Sequence, residues 1–205
     1  MRSIASRLII AALLTFSLAA CSKSGGPLTN DDMSLGNPNA KVTVIEYASV
    51  GCPVCGRWDM DIFPGFKTKY IDTGRVHYVF REMLVGGPEE VNLGVSGFLL
   101  ARCAGKDKYF AVTDAIFHAQ TDIYGGKIDA RSALLKVAQS VGMNEDQFNA
   151  CVSNEAALAS LQQRVQDHAN NDHIESTPTF VINGVALTPG YHPLSDLDAA
   201  IAAAH

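Results

Sequence analysis

Lys41-Val-Thr-Val-Ile-Glu-Tyr47 is a β-branched run broken by one acid, and it predicts a central, mostly buried strand. The apolar spacing then changes. From about Pro53 to Tyr70 a helix is expected, with Trp58, Ile62, Phe63 and Phe66 on its apolar side. Pro64 should kink it, because proline removes one backbone donor. Arg75-Val-His-Tyr-Val-Phe80 returns to the strand pattern. Strand, helix and strand in this order imply a parallel pair with a crossover helix.

Gly86-Gly87-Pro88 breaks the pattern. From Glu89 to about Asn170 the chain is rich in Ala, Leu and Gln at helical spacing. Helices are expected over Val91 to Cys103, Tyr109 to Ala119, Ala130 to Val141, Glu145 to Cys151 and Ala156 to Ala169. Thr177-Pro-Thr-Phe-Val-Ile-Asn183-Gly184-Val-Ala-Leu187 reads as two short strands joined at Asn-Gly, a strong hairpin signal. Leu194 to Ala203 closes the chain as an Ala-rich helix, with Ser195 a candidate N-cap. The layout is α/β: βαβ, a helical insertion, then ββα. It divides into residues 33–86, an insertion over 87–170, and 171–205.

The first 20 residues stand apart. Arg2 and Arg7 precede an almost unbroken apolar run from Leu8 to Ala20. That run is too short for a membrane-spanning helix of about 20 residues, and it fits the core of a secretory signal peptide. Leu18-Ala19-Ala20-Cys21 resembles a bacterial lipobox, which would make Cys21 the lipidated first residue of the mature chain. An ordinary signal peptide cleaved after Ala20 is the alternative. Ser22 to Pro27 then reads as a flexible tether, continuing to residue 32. Export changes the charge as well: residues 21–205 carry 14 basic and 21 acidic residues, a net of −7. With no basic run, nucleic-acid binding has no electrostatic support.

Five cysteines fall into three groups: Cys21, Cys52 with Cys55, and Cys103 with Cys151. Cys-x-x-Cys at a strand-to-helix junction is a redox signature. There, free backbone N–H groups and the positive end of the helix dipole favour a thiolate. Cys52 is therefore the expected nucleophile, and Cys55, one turn in, the resolving thiol. A zinc site would need two further ligands at suitable spacing, and a structural disulfide at a helix start would be strained and reducible.

From about Met33 onward, the chain resembles the DsbA-like thiol oxidoreductases of the bacterial periplasm. The resemblance rests on Val-Ile-Glu-Tyr before Cys-Pro-Val-Cys, on the helical interruption, and on Thr-Pro-Thr-Phe-Val-Ile-Asn-Gly. It implies a thioredoxin fold with an inserted helical domain, and oxidation of thiols in folding exported proteins. No metal or added cofactor is implied beyond the Cys52–Cys55 disulfide. A membrane redox partner would reset the couple. Glu46 falls where the family places a buried acid, whose raised pKa would suit it to move the proton of Cys55 through water. Pro178 matches the cis-proline facing the disulfide, and the backbone of Thr177 would pair with substrate peptide. Pro53 and Val54 would line that contact. Val54 stands where the best-known oxidases carry His, which implies a less oxidising couple. Some relatives have a second disulfide in the helical domain, which implies one between Cys103 and Cys151.

A reductase or isomerase using the same cysteines is the main alternative. A metallochaperone or scaffold lipoprotein would need extra soft ligands near Cys52, where the one nearby Met is Met60. His168, Asp172 and His173 sketch a metal site but read better as exposed polar residues at a helix end. Asp59, one turn beyond Cys55, is a candidate to modulate the thiolate but reads better as part of a solvated helix face, and Trp58 either walls the site or packs in the core.

Overall fold

The computed structural model describes residues 24–204, so the signal-peptide reading and Cys21 lie outside the described residues. Its sheet has five strands: β1 (Met33–Gly36), β2 (Val42–Ala48), β3 (Val76–Glu82), β4 (Thr179–Ile182) and β5 (Val185–Ala186). They lie in the order β1-β3-β2-β4-β5. β2 and β3 run parallel, with Val44 opposite Tyr78, while β1 and β4 are antiparallel to their neighbours. β2 is central and buried along nearly its whole length, as a β-branched run between two covered faces should be.

Between β2 and β3 the helix does not run through. α1 (Pro53–Asp61) stops at Ile62, α2 (Phe63–Phe66) restarts with proline in its first turn, and a π-turn over Lys67–Ile71 completes the crossover. Pro64 acts as expected, and the break costs no packing: Trp58 and Phe66 are both buried. Five helices separate β3 from β4: α3 (Pro88–Cys103), α4 (Lys106–Tyr124), α5 (Ala130–Ser140), α6 (Glu145–Val152) and α7 (Glu155–Asn170). Pro88 starts α3 rather than merely ending what precedes it. It occupies the first turn, where proline's missing N–H is harmless, and Glu89 and Glu90 complement the helix dipole. The hairpin turns at Asn183 (φ 47°) and Gly184 (φ 88°), the positive angles a two-residue turn of this kind requires. α8 (Leu194–Ala203) follows, but its N-cap is Pro193, and Ser195 lies inside the helix.

The sheet's two faces differ. One carries Val42, Val44, Ala48, Tyr78 and Phe80 into the main core with Trp58, Phe66 and the buried sides of α3 and α4. The other holds a smaller cluster of Ile45, Tyr47, Val79, Met83, Ile174 and Val181. Buried beside it, Arg81 donates to Asp172 at 2.9 Å, to Asp32 at 3.0 Å and to the Tyr47 hydroxyl at 2.8 Å.

The expected tether is shorter than the sequence suggests, because residues 24–32 are docked on this second face. The Ser24 N–H donates to the Gly184 carbonyl at 3.0 Å. Gly25 is buried so closely that a Cβ there would meet Val181 Cγ1 at 2.9 Å. Arg81 Nη2 bonds the Pro27 carbonyl at 2.8 Å, and Arg102 pairs with Asp31. The segment climbs from the end of the sheet where β2 begins to the end where it finishes. β1, an edge strand antiparallel to β3, brings the chain back.

Candidate active site

β2 ends at Ala48, and the turn after it delivers Cys52 to the N-cap of α1. There the Cys52 sulfur accepts the Cys55 backbone N–H at 3.3 Å, one of the donors a helix start leaves free. Pro53 takes the first helical position, where it loses nothing. Pro53 and Val54 are exposed, Val54 to 43%. Cys52 and Cys55 are unbonded thiols of unequal access: Cys52 keeps 7% exposure and Cys55 none.

Their acidities diverge accordingly. Hydrogen bonding from Cys55 and from the helix-start backbone lowers Cys52 from 9.0 to about 6, against the effect of burial. Burial, together with the neighbouring Cys52, pushes Cys55 well above the ordinary thiol range. The pair therefore holds one thiolate at neutral pH, on the sulfur nearer solvent.

Across from it, the Thr177–Pro178 peptide bond is cis, and the Thr177 carbonyl lies 3.7 Å from the Cys52 sulfur. The loop before Cys52 is clamped from the helical side. Gln120 Nε2 on α4 donates to the Val50 carbonyl at 2.7 Å and the Cys52 carbonyl at 3.2 Å, and the Tyr124 hydroxyl donates to Gly51. Gly56 makes room for this clamp, since a Cβ there would stand 2.3 Å from Gln120 Oε1.

Glu46 lies beneath the helix, on the sheet face of Val44 and Ala48. It is 2% exposed, and its Oε2 accepts the Tyr78 hydroxyl at 2.5 Å. Burial raises its carboxyl from 4.5 to about 8, and the Tyr78 bond offsets this only in part. At pH 7 it holds a proton.

The Thioredoxin family model matches residues 28–203. The chain belongs to the thioredoxin family. Within that family it is 32% identical over 156 residues to a Rickettsia conorii protein provisionally named a protein-disulfide oxidoreductase. The match covers 76% of this chain and 54% of that one, so the chain spans little more than half the length of this relative. Among solved structures, alpha-DsbA1 of Wolbachia pipientis superposes with a TM-score of 0.76 at 28% identity, over 86% of this chain and 92% of that one. BdbD of Bacillus subtilis, in its oxidised form, shares the fold at 21% identity, with a TM-score of 0.72 over 89% and 97% of the two chains.

In this thioredoxin-family chain Asp59 and the end of α7 differ from the reading of the sequence. Asp59 is not on a solvated face. It is half-buried against α4, its Oδ1 is buried without a hydrogen-bond partner, and burial, then the nearby Asp114 charge, raise its carboxyl from 3.8 to about 7. The group at the end of α7 is only partly exposed. His173 faces solvent, but Asp172 is buried on Arg81, and His168 Nδ1 lies 2.9 Å from the Glu82 carbonyl. Among the described residues no cluster of three His, Cys, Asp or Glu is placed to hold a metal ion. Trp58 is core, 1% exposed, with its ring 4.7 Å from that of Phe180 and its Nε1 donating to the His192 carbonyl. Cys103 and Cys151, on α3 and α6, are joined as a disulfide with Cα atoms 5.8 Å apart. Gln120 and Tyr124 carried no signal in the sequence. They reach the site by tertiary packing, and no local motif marks them.

Proposed function

We propose that the chain is a thiol–disulfide oxidoreductase that oxidises cysteine pairs of exported proteins through Cys52 and Cys55. One observation carries this reading: two sulfurs at a helix start whose acidities are driven apart, the lower one nearer solvent and facing Thr177. A substrate thiolate attacks the Cys52 sulfur of the disulfide. The Cys52–Cys55 bond breaks, and Cys55 leaves as a thiolate that takes a proton from Glu46 through water. A second substrate thiolate then attacks the mixed disulfide and expels the Cys52 thiolate, a good leaving group because of its low pKa. Two electrons pass from the substrate to the couple. Thr177 offers its backbone to the substrate as an added strand, Pro178 holds that backbone facing Cys52, and exposed Pro53 and Val54 form the adjoining contact.

The same reading places the protein outside the cytoplasm, lipid-anchored at Cys21, with a membrane redox partner that reoxidises the couple. Among the described residues no helix is long and apolar enough to cross a membrane. Lipidation is tested by the mass of the mature chain and by whether Cys21→Ser releases it from membranes.

A specific observation favours a second reading. Val54 is exposed beside Cys52 and offers the thiolate neither charge nor hydrogen bond, which suits a reductase or isomerase. Equilibration with glutathione separates the two. A potential above about −180 mV supports the oxidase, and one near −230 mV or below supports the reductase. A pair that does not exchange with glutathione at all would end both.

A further inference from the structure

Glu46 is sealed from solvent, so a proton it gives to Cys55 has to be replaced by some route. Three groups act on its charge: Tyr78, Asp59 and Cys52. Tyr78 is buried, and burial pushes its phenol far above the ordinary range, so it keeps its proton. Cys52 is the reacting sulfur. Asp59 remains, and its position suits the task. It follows Cys55 by four residues on α1, which puts it one turn further along the same helix face. Its Oδ1 is buried and unpartnered, while the residue keeps an edge to solvent beside α4. A buried carboxyl oxygen with no bond to make destabilises a fold, and among the described residues no cation pairs with it. Structure alone gives no reason for an acid here.

We propose that Asp59 is a positioning residue for proton transfer, a relay that connects Glu46 to solvent. When Cys55 leaves as a thiolate, Glu46 gives it a proton. Asp59 passes one to Glu46 through water and reloads from solvent beside Asp114. Electrons move only between sulfurs, and the carboxyls exchange protons alone. In the reverse direction the proton of Cys55 leaves by the same path. The charge of Asp59 is felt by Glu46 on β2 and Tyr78 on β3, and Asp59 in turn feels Asp114 on α4, with His118 lying 3.8 Å from Asp114. Burial, and after it the charge of neighbouring acids, keeps both carboxyls protonated at neutral pH far more than free ones would be. The carboxyl at the sealed end, at about 8, holds its proton more tightly than the one at the solvent edge, at about 7.

The inference rests on the proposed role of Glu46, and the experiment separates the two. The rate at which a thiol peptide reduces the Cys52–Cys55 disulfide is measured from about pH 5 to 9 in the full-length protein, in Asp59→Asn and in Glu46→Gln. Each is run in a bulky buffer and again with added imidazole. Asp59→Asn should slow the reaction between about tenfold and 100-fold near pH 7. Imidazole should restore it, because a small diffusible acid replaces a relay that opens to solvent. Glu46→Gln should be slow in both buffers. A slow Glu46→Gln with an Asp59→Asn of unchanged rate overturns the relay and leaves Glu46 standing. So does a slow Asp59→Asn that imidazole does not rescue, since that marks an effect on structure. A Glu46→Gln of unchanged rate overturns both.

Discussion

Replacing Cys52 by Ser removes a titrating group whose folded and unfolded acidities differ by about three units, from 9.0 to about 6. For an acid whose folded pKa is depressed, the stabilisation is complete above the unfolded value and is lost as pH falls through the folded one. The reduced protein should therefore gain stability from Cys52 as pH rises from 5 to 9. At about 1.4 kcal/mol per unit, the gain between pH 5 and pH 8 is roughly 2.5 kcal/mol. Glu46 and Cys55 titrate in both proteins and cancel to first order. The assay is urea unfolding of reduced wild-type protein and reduced Cys52→Ser at intervals of pH, taking the difference in unfolding free energy. The packing cost of the substitution is a constant offset, and only the slope matters. A difference that is flat from pH 5 to 8, or that grows as pH falls, would refute the account of the thiolate. The oxidised protein has no thiolate, so at pH 7 the same effect raises the reduction potential by about 30 mV.

Three further outcomes are expected. Asp172→Ala leaves Arg81 buried with part of its charge unpaired, and should cost about 3 kcal/mol in urea unfolding. Gln120→Leu strips the Val50 and Cys52 carbonyls of a buried donor. It should cost about 2 kcal/mol and speed amide exchange in the Cys52 loop, with the helices unaffected. Exchanging both Cys103 and Cys151 for Ser opens a loop with a separation of 48 residues. It should lower stability by about 4 kcal/mol on the chain-entropy account, while exchange at Cys52 continues at its normal rate.

β2, β3 and the hairpin at Asn183-Gly184 could be read from the chain because period and turn chemistry agree there. The helices after Pro88 were legible for the same reason, although α4 is longer at both ends than its apolar spacing marks. The position of Cys52 and Cys55 at a strand–helix junction was also legible, since the motif follows a strand directly. Other features depend on what packs against them. Ser24-Gly25-Gly26-Pro27 has the composition of a linker, yet Gly26 is there because a Cβ would stand 2.3 Å from Asp172 Oδ1. Flexibility and close approach call for the same residue, and composition does not separate them. Asp59 looks solvated on its own helix until α4, from far along the chain, covers that side. β1 has little signal of its own because, of its four residues at a sheet edge, Met33 alone is fully buried, which is too short a run to show a period.

The docking of Ser24 on Gly184 fixes more than a short tail. Gly184 lies at the end of the sheet where β2 starts, and Cys52 lies past the other end, with about 20 Å of strand between them. Under the proposed anchor, only Ser22 and Lys23 separate the lipid from the docked chain, a reach of about 10 Å. The protein then stands on the membrane by one pole and presents its reactive sulfur at the other. Such an arrangement favours thiols arriving from the aqueous side over those held at the bilayer surface below.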